Sequence, residues 1–365
     1  MSNSPKPCSI VARGRQAGVS LIELMVAMTI GAVLIFGATE VYVNSRNAYG
    51  VNENVARLQE TARYAMAVIE PDVRMSNFWG LLKGAGVVTS QAAQTAAPGA
   101  VAPGAAVNIC GNNFAIDLGT NLQGDNNSYT LSATRQPGCN SLTDLDSGAV
   151  WTTTPVATAD TLTVRRASVF RNTLGPTANV LEICTTRISG RVQSDTTACT
   201  AWPAGQLSNL IVDAYYIDRN SAAGLPALRR KTLDAAGVLR FVDQEIIAGV
   251  EDMQVQFGID PFGNTGVATR YVNPDAVPAT AQIIAVRVWL LVRSDTGEVG
   301  FTDDTIYQYG DRLQATGVTG DLNNIADAGK AYQPSLNPDA TPIGARHVRR
   351  LLISRTILVR NALGT

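Results

Sequence analysis

Glu23 is the residue whose placement most needs explaining. It stands fifth in a run of 20 residues, Val19 to Ala38, that holds no other charged side chain. A carboxylate inside hydrocarbon costs roughly 2.5–3.5 kcal/mol on insertion scales, so an intramembrane acid points to a function. The other residues able to do chemistry are five cysteines and one histidine. Cys8 lies near the start; Cys110, Cys139, Cys184 and Cys199 lie further along; His347 sits in Arg346-His347-Val348-Arg349-Arg350. No GxSxG, Walker loop, HExxH or paired-carboxylate motif occurs, so the sequence argues against an enzyme.

The element that carries Glu23 is a span. Twenty apolar residues match the helix length needed to cross a hydrocarbon core about 30 Å thick. The leader before it carries Lys6, Arg13 and Arg15 and no acid. By the positive-inside rule the leader stays cytoplasmic and the bulk of the chain lies beyond the inner membrane. A cleaved signal peptide is the simpler reading. Its apolar core should be uninterrupted and followed by a small-x-small site. Here Glu23 interrupts the core, and Phe36-Gly37-Ala38-Thr39-Glu40 is a poor cleavage site. A plain anchor has no need of the acid.

Gly18-Val19-Ser20-Leu21-Ile22-Glu23-Leu24, with the basic leader before it, resembles the class III signal of type IV prepilins and type II secretion pseudopilins. The resemblance implies a cut by a prepilin peptidase after Gly18, methylation of the new N-terminus at Val19, and Glu23 at mature position five. The family usually has phenylalanine where this chain has Val19. The implied pairing is physical: the free amine of Val19 on a neighbouring subunit would neutralise Glu23. A missing partner leaves a buried charge, so the pair favours one axial register. A glutamate snorkelling to the headgroups is the structural alternative.

Composition bounds the remainder. At 365 residues the chain is long enough for a core beyond the anchor. Loss of the leader removes three of 29 basic residues and none of 30 acids, leaving a net charge of −4. That gives no bulk electrostatic case for nucleic acid. Loss of Cys8 leaves four cysteines outside the membrane, which suggests disulfides with three possible connectivities. Pairing of sequence neighbours, Cys110–Cys139 and Cys184–Cys199, is the expectation. Closing the shorter loop contributes about 3 kcal/mol on loop-entropy grounds. Zinc fits poorly, with no CxxC pair and His347 remote.

Past the span, Val51, Val55, Leu58, Ala62, Ala65 and Ile69 alternate spacings of four and three. That is one apolar stripe on a helix, packed on a globular domain or on other subunits. Pro71 should kink or end the helix near Ile69, with at most one further turn to Met75. Gly31 and Gly37 are weak points. Gly84 to Asn108 is low in complexity and reads as a loop. Asp125 with its neighbours, and Asp321, Asn323 and Asp327, hint at calcium, but neither follows EF-hand spacing. No metal or cofactor is expected.

From Ser128 the period changes to two. Strands are expected at Tyr129–Ala133, Ala149–Thr153, Thr161–Arg166, Val180–Thr185 and Leu210–Ile217. Leu228–Leu233 and Leu239–Val242 flank Asp234-Ala235-Ala236-Gly237 as a hairpin. Met253, Val255, Phe257 and Ile259 share a face. So do Ile284, Val286, Val288, Leu290 and Val292, and then Leu351, Ile353, Ile357 and Val359. Ser294 to Ala345 reads as a long polar loop. The expected fold is α+β: a long N-terminal helix, half membrane-spanning and half amphipathic, packed on an antiparallel β-sheet domain with long loops. The boundaries are 1–18 leader, 19–76 helix, 77–127 Ala/Gly-rich loop region and 128–365 β-rich domain.

The blocks AGVEDMQVQFGID, AVRVWLLVRS and a last strand ending LVRN resemble the PilW family of minor pilins, as does the helix exit LQETARYAMAVIEPDVRMSNFWG. PilW is similar to the pseudopilin GspJ, which is shorter and is the alternative. The resemblance implies a rare subunit, first in the inner membrane with its domain in the periplasm, then at the pilus tip. Implied partners are the prepilin peptidase, PilV-, PilX- and FimU-like minor pilins, the major pilin and a PilY-type adhesin. A basic strip of Arg346, Arg349, Arg350, Arg355 and Arg360 is the residual argument for nucleic acid; it lacks stacking aromatics and reads better as a charge-protected edge strand.

Overall fold

A computed structural model describes residues 18–93, 113–128, 159–196, 199, 205–218, 223–233, 241–263, 265–298, 300–312 and 345–362. The chain divides into two units, Met1–Glu53 and Asn54–Thr365. One helix, α1 (Leu21–Met75), runs through 55 residues of both. In the first unit it is unbroken through Gly31 and Gly37. Its most apolar 18-residue window has a mean hydropathy of 2.2 and buries nothing within the chain. A water-exposed surface of that kind is unstable, and a membrane of matching thickness satisfies it.

In the second unit α1 buries Leu58, Ala62, Ala65, Met66, Ile69 and Val73. The helix carries on past Pro71 to Met75. Proline removes one helical hydrogen bond, and side chains hold the last turn instead. Asp72 accepts from Arg166 Nη2 at 2.6 Å and from the Tyr215 hydroxyl, and Arg74 pairs with Glu70.

Twelve strands follow among the described residues. They are β1 (Val88–Thr89), β2 (Leu122–Gln123), β3 (Leu162–Arg171), β4 (Glu182–Thr185), β5 (Gly190–Gln193), β6 (Gln206–Asp218), β7 (Ala227–Leu233), β8 (Phe241–Ala248), β9 (Val250–Asp260), β10 (Arg270–Val272), β11 (Gln282–Arg293) and β12 (Arg350–Leu358). The larger sheet runs β1-β5-β4-β6-β3-β2, with β7 joining β6 to β8. The smaller sheet runs β10-β9-β11-β12. Every pairing is antiparallel except β1 with β5. The α1 stripe, the inner residues of β9 and β11, and Leu162, Tyr215 and Leu228 of the larger sheet form one core. The expected inner faces of β9 and β11 are wholly buried in it; on β12, Ile357 is buried and Leu351 and Ile353 are partly so, and Val359 just past the strand is buried.

Four strands escaped the alternation test. β1 and β2 have two residues each, β10 has three, and β5 has four with buried Gly190 at its start. The expected hairpin is present as the antiparallel β7–β8 pair, with its turn outside the described residues. The expected strands at 129–133 and 149–153 also lie outside them. Within 77–127, Trp79, Leu82, Ala85, Val88 and Phe114 to Leu118 pack into a second core with Ala167, Leu210 and Phe241. The loop reading therefore needs correction at both ends, because apolar residues there reach a sheet face; residues 94–112 lie outside the described part. The segment read as polar loop after Ser294 also contributes: Tyr307 and Tyr309 pack on Leu291 of β11.

The chain passes from the larger sheet to the smaller at Gly249, between β8 and β9. Its φ is +95°, and its N–H donates to Pro226 O at 2.6 Å while its carbonyl accepts from Arg293 N at 2.8 Å. A Cβ there would stand 3.1 Å from Arg293 O. Gly249→Ala meets both a disfavoured backbone region and a crowded carbonyl. It is expected to lower stability by about 1–3 kcal/mol, read as a shifted urea midpoint with unchanged slope.

Candidate assembly site and the charges that hold its domain

In the N-terminal unit, Gly18 to Ser20 precede the helix and Leu21 begins it. Ser20 caps that end. Its hydroxyl accepts from Ile22 N at 3.2 Å, and Glu23 Oε2 accepts from Ser20 N at 3.3 Å. This is an N-cap at the N2 donor combined with the reach-back half of an S-x-x-E capping box, and it satisfies two donors at the helix start. The spacing Ser20-Leu21-Ile22-Glu23 showed it in advance, and the sequence reading, occupied with the membrane cost of Glu23, passed over it. Val19 is 70% exposed. In a single uncut chain Glu23 thus has a local partner. A cut after Gly18 would create the amine at Val19, one residue from that partner.

Of the expected disulfides, Cys184–Cys199 is present, with Cα atoms 5.8 Å apart and a sequence separation of 15. It ties β4 to the segment leading into β6. Cys8, Cys110 and Cys139 lie outside the described residues. So do Asp321, Asn323 and Asp327 of the calcium hint. Asp125 exchanges hydrogen bonds with Thr161 at 3.0 Å, and among the described residues no group of three metal-type ligands occurs.

The C-terminal arginines lie on and beside an edge strand, as the preferred reading had it, and do not form one basic strip. Arg350 is buried and paired with Glu251 at 2.6 Å and Asp303 at 3.2 Å. Arg349 pairs with Glu298 at 2.8 Å and stacks on Phe301, its guanidinium 4.3 Å from the ring centre. Arg355 pairs with Glu70 of α1. His347 Nδ1 lies 2.6 Å from Phe301 O. Successive residues along a strand point to opposite sides, and here Arg350 serves two buried acids while Arg349 and Arg355 pair with half-buried ones.

Those acids sit at the start of β9. Glu251 and Asp252 are adjacent, and successive strand residues face opposite ways. Burial pushes Glu251 up, but Arg350 and Arg293 outweigh it and hold its carboxyl below the usual range. Asp252 accepts from the Tyr309 hydroxyl at 2.6 Å and from Arg312 Nη2 at 3.1 Å. Its burial still raises it. A buried pair of this kind is costly to break, because the survivor is left desolvated. These contacts fasten the segment around Arg312 and the start of β12 to the same strand. Sequence reading registered Glu251-Asp252 only as part of a resemblance; their partners lie roughly 40 to 100 residues away and leave no local pattern.

A second carboxyl pair joins α1 to β6. Asp213 and Asp72 are both buried and near enough for each charge to act on the other. Asp72 also accepts from Arg166 and Tyr215, and Arg230 Nη1 lies 3.5 Å from Asp213 Oδ2. Burial, then the neighbouring Asp72, pushes Asp213 up to about 7; Arg230 and Thr232 oppose this.

The fold is a long apolar-to-amphipathic helix leading into an antiparallel-rich β-domain. Residues 13–39 match the family model of the prokaryotic N-terminal methylation motif, and residues 214–361 match that of type IV pilus-assembly protein W. The chain is thus similar to the methylation-motif family near its start and to the PilW family over its C-terminal part. These are marks of structural proteins of the pilus rather than of enzymes. Comparison with curated proteins gives no match. A solved type IV-like pilin from Thermus thermophilus is 16% identical over 56% of this chain and 79% of that one, with a TM-score of 0.22, too loose a superposition to add to the family matches.

The Asp72–Asp213 pair carries a pH dependence of definite sign. Asp213 binds a proton on folding, so stability is greatest below its unfolded pKa near 3.8, falls as pH rises toward about 7, and then levels off. Asp213→Asn keeps the side chain's size and removes the titration. Its urea midpoint is expected to be flat over that interval apart from the other titrating groups, with the largest gain over wild type near pH 7.

Proposed function

We propose that this chain is a minor pilin of a type IV pilus. A prepilin peptidase cuts after Gly18, Val19 becomes the methylated N-terminus, and the helix anchors the subunit in the inner membrane until it is extracted into a filament. The subunit joins a tip complex with PilV-, PilX- and FimU-like minor pilins, primes addition of the major pilin and supports a PilY-type adhesin. The observation that carries this reading is the joint presence of the methylation motif at 13–39 and the PilW domain at 214–361 in one chain.

In this account Glu23 exchanges partners on assembly. Before assembly it caps its own helix through Ser20. In the filament it meets the amine of Val19 on a neighbour. Charge-to-charge pairing in a dry contact is stronger than a backbone cap. Glu23→Ala is therefore expected to be cut and inserted normally but to be recovered in sheared surface fibres at roughly a tenth of wild type or less. Ser20→Ala removes only the hydroxyl that accepts from Ile22 N, leaves the backbone N–H that Glu23 accepts from, and is expected to incorporate normally. Equal incorporation of Glu23→Ala and wild type would remove the pairing from the mechanism.

Deleting the chain separates the pilus from the secretion machine. The expected result is loss of surface pili, and with them twitching motility and adhesion, with normal export of secreted enzymes. Normal pili with enzymes trapped in the periplasm would instead make the chain a GspJ-type pseudopilin.

A further inference from the structure

The smaller sheet ends at β12, which has β11 on one side and no strand on the other among the described residues. Its hydrogen-bonding register can be read from its ends. Val359 N donates to Ile284 O at 2.9 Å and Ser294 N donates to Arg349 O at 2.9 Å. Antiparallel strands alternate inward and outward main-chain groups. The N–H and C=O groups of Leu352, Ser354, Thr356 and Leu358 therefore point away from β11. The side chains of Ser354, Thr356 and Leu358 are exposed as well, with Leu358 at 64%. A free edge with this composition is usually blocked by charge, proline or a bulge. Here the charges stand to one side of the edge.

Between that edge and α1 lies a groove of about 390 Å³. Four guanidinium groups line it, from Arg63 and Arg74 of α1, Arg355 of β12 and Arg360 just after it. One carboxylate, Glu70, sits among them and already pairs with both Arg74 and Arg355. Arg63 and Arg360 are exposed and meet no carboxylate among the described residues. The groove is thus basic on a chain whose net charge is −1.

We infer that this groove and the free edge of β12 together receive an extended acidic segment of another polypeptide, added as a strand beside β12. Main-chain pairing supplies the seat, and alternate side chains supply the choice of partner. On one side of the added strand, every second residue faces the arginines. Those positions take Asp or Glu, and the positions between them take Thr, Ser or a small apolar residue against Thr356 and Leu358. Arg63 and Arg74 stand eleven residues apart on α1, about 16 Å of helix rise, the length of about five strand residues. That leaves room for three acids at alternate positions. A phosphodiester backbone fits less well, because it has no N–H donors for the outward carbonyls and the groove offers no aromatic ring for bases to stack on.

The test uses the full mature chain in detergent micelles and a labelled eight-residue peptide that alternates Glu with Thr and Val, followed by fluorescence anisotropy. Three comparisons decide it. A peptide of the same composition with its glutamates consecutive is expected to bind about tenfold more weakly, as is the parent peptide on Arg63→Ala/Arg360→Ala protein. Of two versions N-methylated on alternate sets of amides, one is expected to bind like the parent and the other to lose about tenfold, since only one set faces β12. The peptide variants leave the protein untouched, so a folding defect cannot mimic the result. Equal binding of both N-methylated versions would rule out strand addition. No binding of the alternating peptide at millimolar concentration, or displacement of it by a single-stranded oligonucleotide at a lower concentration than unlabelled peptide, would overturn the proposal.

Discussion

The apolar stripe from Leu58 to Val73 on α1 is the constraint on which the β-domain depends. Six buried side chains on one helix face need a partner surface of equal length. At roughly 1.5–3 kcal/mol for each large apolar side chain buried, no single strand could supply it. The inner face of β9 and β11 covers most of it, and β3, β6 and β7 of the larger sheet close the remainder. Two sheets meeting over one helix bring strand ends and polar residues into the interior. The ion pairs of Glu251, Asp252 and Asp72 follow from that meeting. They add little net energy against apolar substitutes, but each fixes which segments lie together. Gly249 allows the chain to change sheets at that junction.

Glu23 is governed by a different constraint. A carboxylate in an apolar run must be neutralised or bonded wherever it is placed. The helix start offers a bond within the chain, through Ser20. The cut after Gly18 would offer an opposite charge in another chain. Under the proposed assembly, the acid would be bonded in a stored subunit and charge-paired in a fibre.

Much of this was visible in the residues. The span, the stripe on α1 and the alternation in β9, β11 and β12 are local periodicities, and local periodicity is what a sequence displays directly. Cys184–Cys199 was legible because a short loop favours pairing of neighbours. The capping role of Ser20 was visible as S-x-x-E and was missed only because a stronger signal overlay it. The short strands β1, β2, β5 and β10 carry too few residues to show a period. The buried ion pairs could not be read, because Asp252 with Arg312, or Asp72 with Arg166, are joined only by the fold. The same limit hid the partners of the arginines near the C-terminus: the edge strand was legible, but in space the arginines divide between buried acids, α1 and one open groove.

The most direct measurement of the central claim is mass spectrometry of the N-terminus of this chain in fibres sheared from the cell surface. The account requires the chain to be present there, beginning at Val19 and carrying one methyl group on its amine, in small amount beside a major pilin. A chain that begins at Met1, or one cut at some other bond, would contradict the processing on which the Glu23 pairing rests. Fibres free of the chain, with the processed form confined to the membrane fraction, would contradict its place in the pilus.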